Sequence, residues 1–252
     1  CLTVPLYKQF QIDKDKSNPF YELETYEGVL DCHCHGCKRH SVFSRTKPST
    51  TIQSYAHLSN YLTALWFVCS REKQHKICFV FHSHQGVLQK IGQYPSIADL
   101  ASPDLQKYRP VLGDAGLREL TRAVGLASHG IGVGAFVYLR RIFEALIETA
   151  RQSAASEPDW DDSAFANSRM EEKIAKLKHH LPEFLVQNRT IYSIMSVGVH
   201  ALSEEQCLAA FPIVRVGIEL ILDERLEKHA REKKITKARN EISNLATELK
   251  TK

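Results

Sequence analysis

The chain has 252 residues, 43% of them hydrophobic, and a formal net charge of +4. That length suits one large domain or two small ones, and the hydrophobic share is ordinary for globular cores. No apolar run approaches the roughly 18 residues of a bilayer-crossing helix, no signal-like apolar region follows Lys8 or Lys14, and a charge of +4 is too mild to announce nucleic acid by itself. A cytoplasmic protein with no membrane segment is therefore expected.

In chain order, residues 2–12, 21–30, 62–69 and 77–82 are rich in aromatic and β-branched side chains. Turn formers such as Ser17-Asn18-Pro19 and Pro48-Ser49 bound them, which predicts short strands. The run Cys78-Phe79-Val80-Phe81 is continuously apolar and predicts a strand covered on both faces. Residues 38–60 are polar and basic and read as a loop. The first 92 residues thus form a strand-rich module.

That module holds most of the seven cysteines. An odd count, without a secretion signal and with Cys-x-x-Cys spacing, favours a metal site over a disulfide framework. Within Asp31-Cys32-His33-Cys34-His35-Gly36-Cys37, the pair Cys34 and Cys37 has knuckle spacing, and Gly36 between them relaxes the backbone. Two thiolates on one turn point at one tetrahedral ion. Zinc needs a second pair, and Cys69 with His75 (C-x5-H) or with Cys78 (C-x8-C) supplies one at a junction of two strands, with Cys32 a further alternate. His33, His35, His40, His82 and His84 are additional donors. With four protein ligands such a site is closed and structural. The module is expected to resemble a zinc ribbon.

Residues 93–113 read as a connector with two short helices. Ser96 caps the first, Ser102-Pro103-Asp104 repeats the signal, and Pro110 stops it. From Asp114 the pattern turns helical to the end, so the fold class is α+β: a small strand-rich module, then an all-helical part. Leu117, Leu120, Val124 and Ala127 make one stripe; Phe136, Leu139, Phe143, Leu146 and Ala150 make the next. Between them, Gly130, Gly132 and Gly134 lack the lysine and preceding strand of a phosphate loop and instead suit a close helix approach. Helices are expected over about 164–180 and from Pro182 to about Leu202. Ser203-Glu204-Glu205-Gln206 is a capping box opening the next, which Pro212 is placed to kink. From Arg225 nine Lys/Arg face four Glu, with Ile235, Ile242, Leu245 and Leu249 at helical spacing, an amphipathic tail suited to a partner.

Polar residues mark one more feature. Asn188, Tyr192, Ser196 and His200 recur at i+4 spacing, and Arg140 and Glu144 have the same spacing beside an apolar stripe. Two crossing helices could match them, with Arg141 adjacent. Either the stripe is a hydrogen-bonded seam between helices, or it lines a groove that binds a polar polymer.

The stretch Gly134-Ala135-Phe136-Val137-Tyr138-Leu139-Arg140-Arg141-Ile142-Phe143-Glu144 resembles the RR-x-x-E helix of bacterial domains related to the HEPN superfamily. The stretch Ser196-Val197-Gly198-Val199-His200-Ala201-Leu202-Ser203-Glu204 shares the resemblance. It covers roughly residues 114–228 and leaves 229–252 as a basic tail. HEPN proteins are helical bundles of RNA-cutting toxins and phage-defence systems, and such bundles commonly pair. The resemblance implies a bundle, a dimer or protein partner, and RNA as a possible ligand. Active members place a His four to six residues after an Arg on one helix. Here the Arg nearest before His200 is Arg189, eleven positions earlier. Two functions follow as expectations. One is a zinc-stabilised interaction or assembly protein of a bacterial defence or stress-response system. The other is a metal-independent ribonuclease with His200 as acid or base, Arg140 on the phosphate and Glu144 orienting, its groove formed by Asn188, Tyr192, Ser196 and Arg141.

Overall fold

The computed structural model describes residues 2, 4–12, 23, 25–46 and 60–250. The turn formers expected at 17–19 and 48–49 lie outside them. The described residues form an antiparallel six-stranded sheet followed by a helical region.

The strands are β1 (Gln9–Gln11), β2 (Val29–Cys34), β3 (Arg39–Arg45), β4 (Tyr61–Cys69), β5 (Lys76–His84) and β6 (Val87–Tyr94), in sheet order β1-β6-β5-β4-β3-β2. β4 shows the strand period directly: Leu65, Phe67 and Cys69 are buried while Leu62 and Trp66 are exposed. On central β5, Ile77, Phe79 and Phe81 enter the core and Cys78 is buried on the opposite face. The continuous apolar run there reflects burial on both sides.

Three strands depart from the sequence reading: of the strand expected over 21–30 only Val29 and Leu30, among the described residues, belong to a strand, β2, which runs on to Cys34. Residues 39–45, expected in a loop, form β3, because Ser41 and Phe43 alternate inward while His40, Val42 and Ser44 face out. β6 goes unsignalled because its interior carries Gln89, Lys90 and Gln93. A tight turn at Gln85-Gly86, both at positive φ, joins it to β5. Lys90 is fully buried in the sheet, donates to the Val4 carbonyl at 2.7 Å and to the Gln93 side chain, and lies 5.4 Å from the Phe79 ring centre. Burial pushes its ammonium down to about 8.

Helices follow: α1 (Ile97–Gln106), α2 (Arg109–Ser128), α3 (Gly132–Ala154), α4 (Asp162–Ala166), α5 (Met170–Lys176), α6 (Glu183–Gln187), α7 (Thr190–His200) and α8 (Glu204–Lys250). Ser96 and Asp99 form a reciprocal capping box on α1, which runs through Pro103 as one helix. Pro110 opens α2 rather than stopping a helix, since its missing N–H is not needed in a first turn. Gly113, at φ 66, kinks α2. The helix expected over 164–180 is interrupted between Ala166 and Met170, and the one expected from Pro182 is interrupted at Asn188. α8 runs 47 residues through Pro212 and without a break at 228/229.

The apolar stripe of α3, centred on Phe136, Leu139, Phe143 and Leu146, lies in the helical core against α2, α7 and α8. The glycine-rich link before it serves close packing. A Cβ on Gly132 would meet the Glu204 carbonyl oxygen at 2.6 Å. The Glu204 carboxylate accepts from the amides of Gly132 and Val133, the latter at 2.9 Å, and so occupies the positive end of α3. Leu100 of α1 packs on the sheet core, and the Leu6 amide donates to the Ser128 carbonyl at 2.9 Å, joining the two parts. Among the described residues no helix is long and apolar enough to cross a membrane.

Candidate metal centre and polar seam

Antiparallel pairing of β3 with β4 sets two hairpin turns side by side at one end of the sheet: residues 35–38 between β2 and β3, and residues 70–75 between β4 and β5. Each turn contributes two donors. Cys34 ends β2 and Cys37 follows in its turn; Cys69 ends β4 and His75 precedes β5. Their ligand atoms all lie within 4.8 Å of one another, so the set could hold a metal ion.

The turns are held by their backbones. The Lys38 amide donates to the Cys34 carbonyl at 2.8 Å with Lys38 in the left-handed region at φ 56, and the Cys37 amide donates to the Cys34 sulfur at 3.3 Å. Across the site, Cys37 Sγ is 3.8 Å from Cys69 Sγ, His75 Nδ1 is 3.2 Å from Cys37 Sγ, and it is 3.6 Å from Cys34 Sγ. The second turn closes with the Cys69 amide on the His75 carbonyl at 3.0 Å. Gly36 is needed for space rather than for an unusual backbone angle: a Cβ there would sit 2.3 Å from the His75 ring.

The thiols differ in acidity. Burial, then hydrogen bonding with Cys34 and Cys69, pushes the Cys37 thiol up to about 11. Burial also raises Cys69, but hydrogen bonds from the Ser41 hydroxyl, at 3.1 Å, and from the backbone amides of Arg71 and Glu72 outweigh it and bring that thiol down to about 6. Ser41 is 5% exposed and escapes the sequence reading because it falls in the stretch taken for a loop. The alternation of Ser41 and Phe43 is the signal that could have found it.

The alternates stand apart from this cluster. Cys32 is on β2, its thiol raised to about 11 by burial first and then by Asp31. Cys78 is buried on β5, opposite Trp66 of β4. His33 and His40 face each other edge-on with ring centres 6.1 Å apart, while His82 bonds Asn60 at 2.6 Å. No disulfide links the described cysteines.

At the α3–α7 seam, Arg140 Nε donates to Glu144 Oε1 at 2.8 Å and Nη2 to the Tyr192 hydroxyl at 3.0 Å. The Tyr192 hydroxyl donates to the same Glu144 oxygen at 3.1 Å, and the guanidinium lies 5.2 Å from the Tyr192 ring centre. Arg140 Nη1 is 3.4 Å from His200 Nε2. The Glu144 hydrogen bond is the main reason the Arg140 proton is held more tightly than usual, and burial followed by Glu144 raises the Tyr192 hydroxyl. Arg140, Glu144, Tyr192 and His200 are thus brought together. Arg141 is not: it turns toward α2, pairing with Glu119 at 2.6 Å. Asn188 ends α6 and bonds the Phe184 carbonyl at 2.9 Å, off the helix that carries the stripe. Ser196 is half-buried on α7.

Comparison with known proteins leaves these sites to be read on their own chemistry: no protein-family model, no curated protein and no solved structure matches the chain.

Proposed function

We propose that this chain is a zinc-stabilised interaction protein, in which a zinc-ribbon-like module is stapled by Cys34, Cys37, Cys69 and His75 and joined to a helical bundle that assembles with other chains. The convergence of those donors from two adjacent turns carries the reading. Around a tetrahedral zinc with sulfur at ~2.3 Å and nitrogen at ~2.0–2.1 Å, sulfurs stand about 3.8 Å apart and sulfur and nitrogen about 3.6 Å. Cys37–Cys69 at 3.8 Å and Cys34–His75 at 3.6 Å fit those edges, while Cys37–His75 at 3.2 Å is shorter and would open on binding. Three thiols and one imidazole are also the soft-to-borderline donors that zinc prefers. With four protein ligands no position is left for a substrate, so the ion would support structure. The resemblance of residues 114–228 to HEPN-related domains supports a role within a bacterial defence or stress-response assembly.

Elemental analysis of purified protein should find about one zinc per chain, and chelation should unfold the sheet while leaving helical signal. Protein without metal, whose thiols all react freely in the folded state, would end the proposal.

A second reading, a metal-independent ribonuclease, is favoured by one observation: His200 Nε2 comes within 3.4 Å of Arg140 Nη1 at an exposed His200. In that reading His200 exchanges the proton of a ribose hydroxyl and Arg140 steadies the phosphate. It is the weaker of the two because Glu144 and Tyr192 already engage the guanidinium. RNA cleavage by the wild type, lost in His200→Ala, would establish it.

A further inference from the structure

Every residue of α8 over positions 230–246 is exposed, so this part of the helix leaves the helical core among the described residues. Isolated helices gain most of their stability from packing an apolar face. This extension has such a face. Ile235, Ala238, Ile242, Leu245 and Leu249 follow alternating steps of three and four, and Ile242 and Leu249 are 67% and 66% exposed.

The core-bound half of α8 carries a matching block on its outer side: Ile213, Val216 and Leu220, with Ile213 77% exposed. At about 100° per residue, both blocks fall within about 60° of one line along the helix. They form one stripe, apolar at both ends and polar in the middle at Glu224, Glu227 and Arg231. Their outer parts mirror each other about Arg231: Ile213 and Leu249 stand 18 residues to either side of it, and Leu220 and Ile242 eleven. A two-fold axis through Arg231 sets Ile213 against the partner's Leu249 and Leu220 against the partner's Ile242, with Val216 one residue out of step with the partner's Leu245. The same axis leaves Glu227 one residue from the partner's Lys234, within reach of its long side chain, and neither residue is ion-paired among the described residues.

We infer that two copies of this chain pair antiparallel along α8, each exposed half lying on the outer face of the other's core-bound half. This rests on the reading of the chain as an interaction protein and specifies its surface and its partner. A closed two-fold contact needs a self-complementary patch, and the symmetric stripe is one. The contact spans about 55 Å of helix at ~1.5 Å per residue. α7 widens the seat. It lies beside α8, with the Cys207 thiol on the Gly198 carbonyl at 3.3 Å and Ile191 against Gly217, and it carries two further exposed apolar residues, Ile194 and Val197. Stable interfaces begin at roughly 1,200 Å² of buried surface, which sets the area the pairing must cover.

Two measurements on the full zinc-loaded chain test the pairing. Light scattering at tens of micromolar should give the dimer mass, and Ile242→Asp, on the exposed half, should give a monomer with unchanged thermal unfolding of the helical core. A photoactivatable phenylalanine analogue in place of Leu249 should then crosslink to residues around 210–216 of a second chain, a region its own chain's Leu249 cannot reach. A wild-type monomer, a dimer that survives Ile242→Asp, or crosslinks confined to the partner's last residues, as in a parallel pair, would each overturn the inference. A monomer that still holds one zinc per chain removes this interface and leaves the zinc proposal standing. A dimer without zinc does the reverse.

Discussion

Removing Arg140 separates a seam that holds helices together from a site that works on RNA. Its side chain is 25% exposed and that of Glu144 42%, so their pair is only half shielded from water. An i,i+4 pair at that exposure contributes about 0.3–0.5 kcal/mol, and the stacking on Tyr192 about 0.5–1 kcal/mol. The bond from Arg140 to the Tyr192 hydroxyl, screened by water at this half-exposed seam, adds about 1 kcal/mol. The Tyr192 hydroxyl keeps Glu144 as its acceptor, so no buried polar atom is orphaned. Arg140→Ala should therefore cost about 2 kcal/mol, below the ~3–5 kcal/mol of a fully buried pair. For a chain of this size that lowers Tm by about 4–8 °C. His200 is exposed and makes one 3.4 Å contact in the seam, so His200→Ala should stay within about 0.5 kcal/mol of wild type. Thermal unfolding followed by circular dichroism reads both, beside an RNA-cleavage assay of the same preparations. An unchanged Tm in Arg140→Ala would refute the seam argument. Cleavage by the wild type that both variants abolish, with His200→Ala fully stable, would replace the scaffold reading with the ribonuclease.

Gly36→Ala should weaken zinc retention against a competing chelator, because the new methyl would sit 2.3 Å from the His75 ring and the ring cannot stay in place; unchanged retention would show that the second turn yields freely. Lys90 carries a pH signature. Its folded value of about 8 lies below the ~10.4 of an unfolded lysine, so the unfolded chain binds the extra proton between those values and stability rises with pH there. Measured against Lys90→Met, the wild type should gain about 3 kcal/mol from pH 8 to pH 10.5, all of it absent below pH 8. A flat difference across that window would mean that Lys90 keeps its proton in the native sheet as it does in the unfolded chain.

Features written within one element were legible from the amino-acid order. The Cys34–Cys37 knuckle, the alternation in β4, the apolar stripe of α3 and the capping box at Ser203 all depend on neighbours within a turn or two of chain. Their spacing is fixed by backbone geometry wherever the segment sits. The second ligand pair was different. Cys69 with His75 and Cys69 with Cys78 are equally sound as spacings, and the β4–β5 register decided between them by placing His75 in the turn and Cys78 across from Trp66. Gly36 looked like a hinge in the sequence; the structure shows it as clearance for a ring that is remote in sequence. Likewise the i+4 run through Asn188 did not reveal that the helix breaks there, nor did Arg140 and Arg141 reveal that successive residues on a helix leave it about 100° apart, one toward α7 and one toward α2. Local periodicity is a property of the chain, whereas which donor completes a site and which arginine meets a seam depend on strand register and helix crossing, which exist only once distant segments have packed.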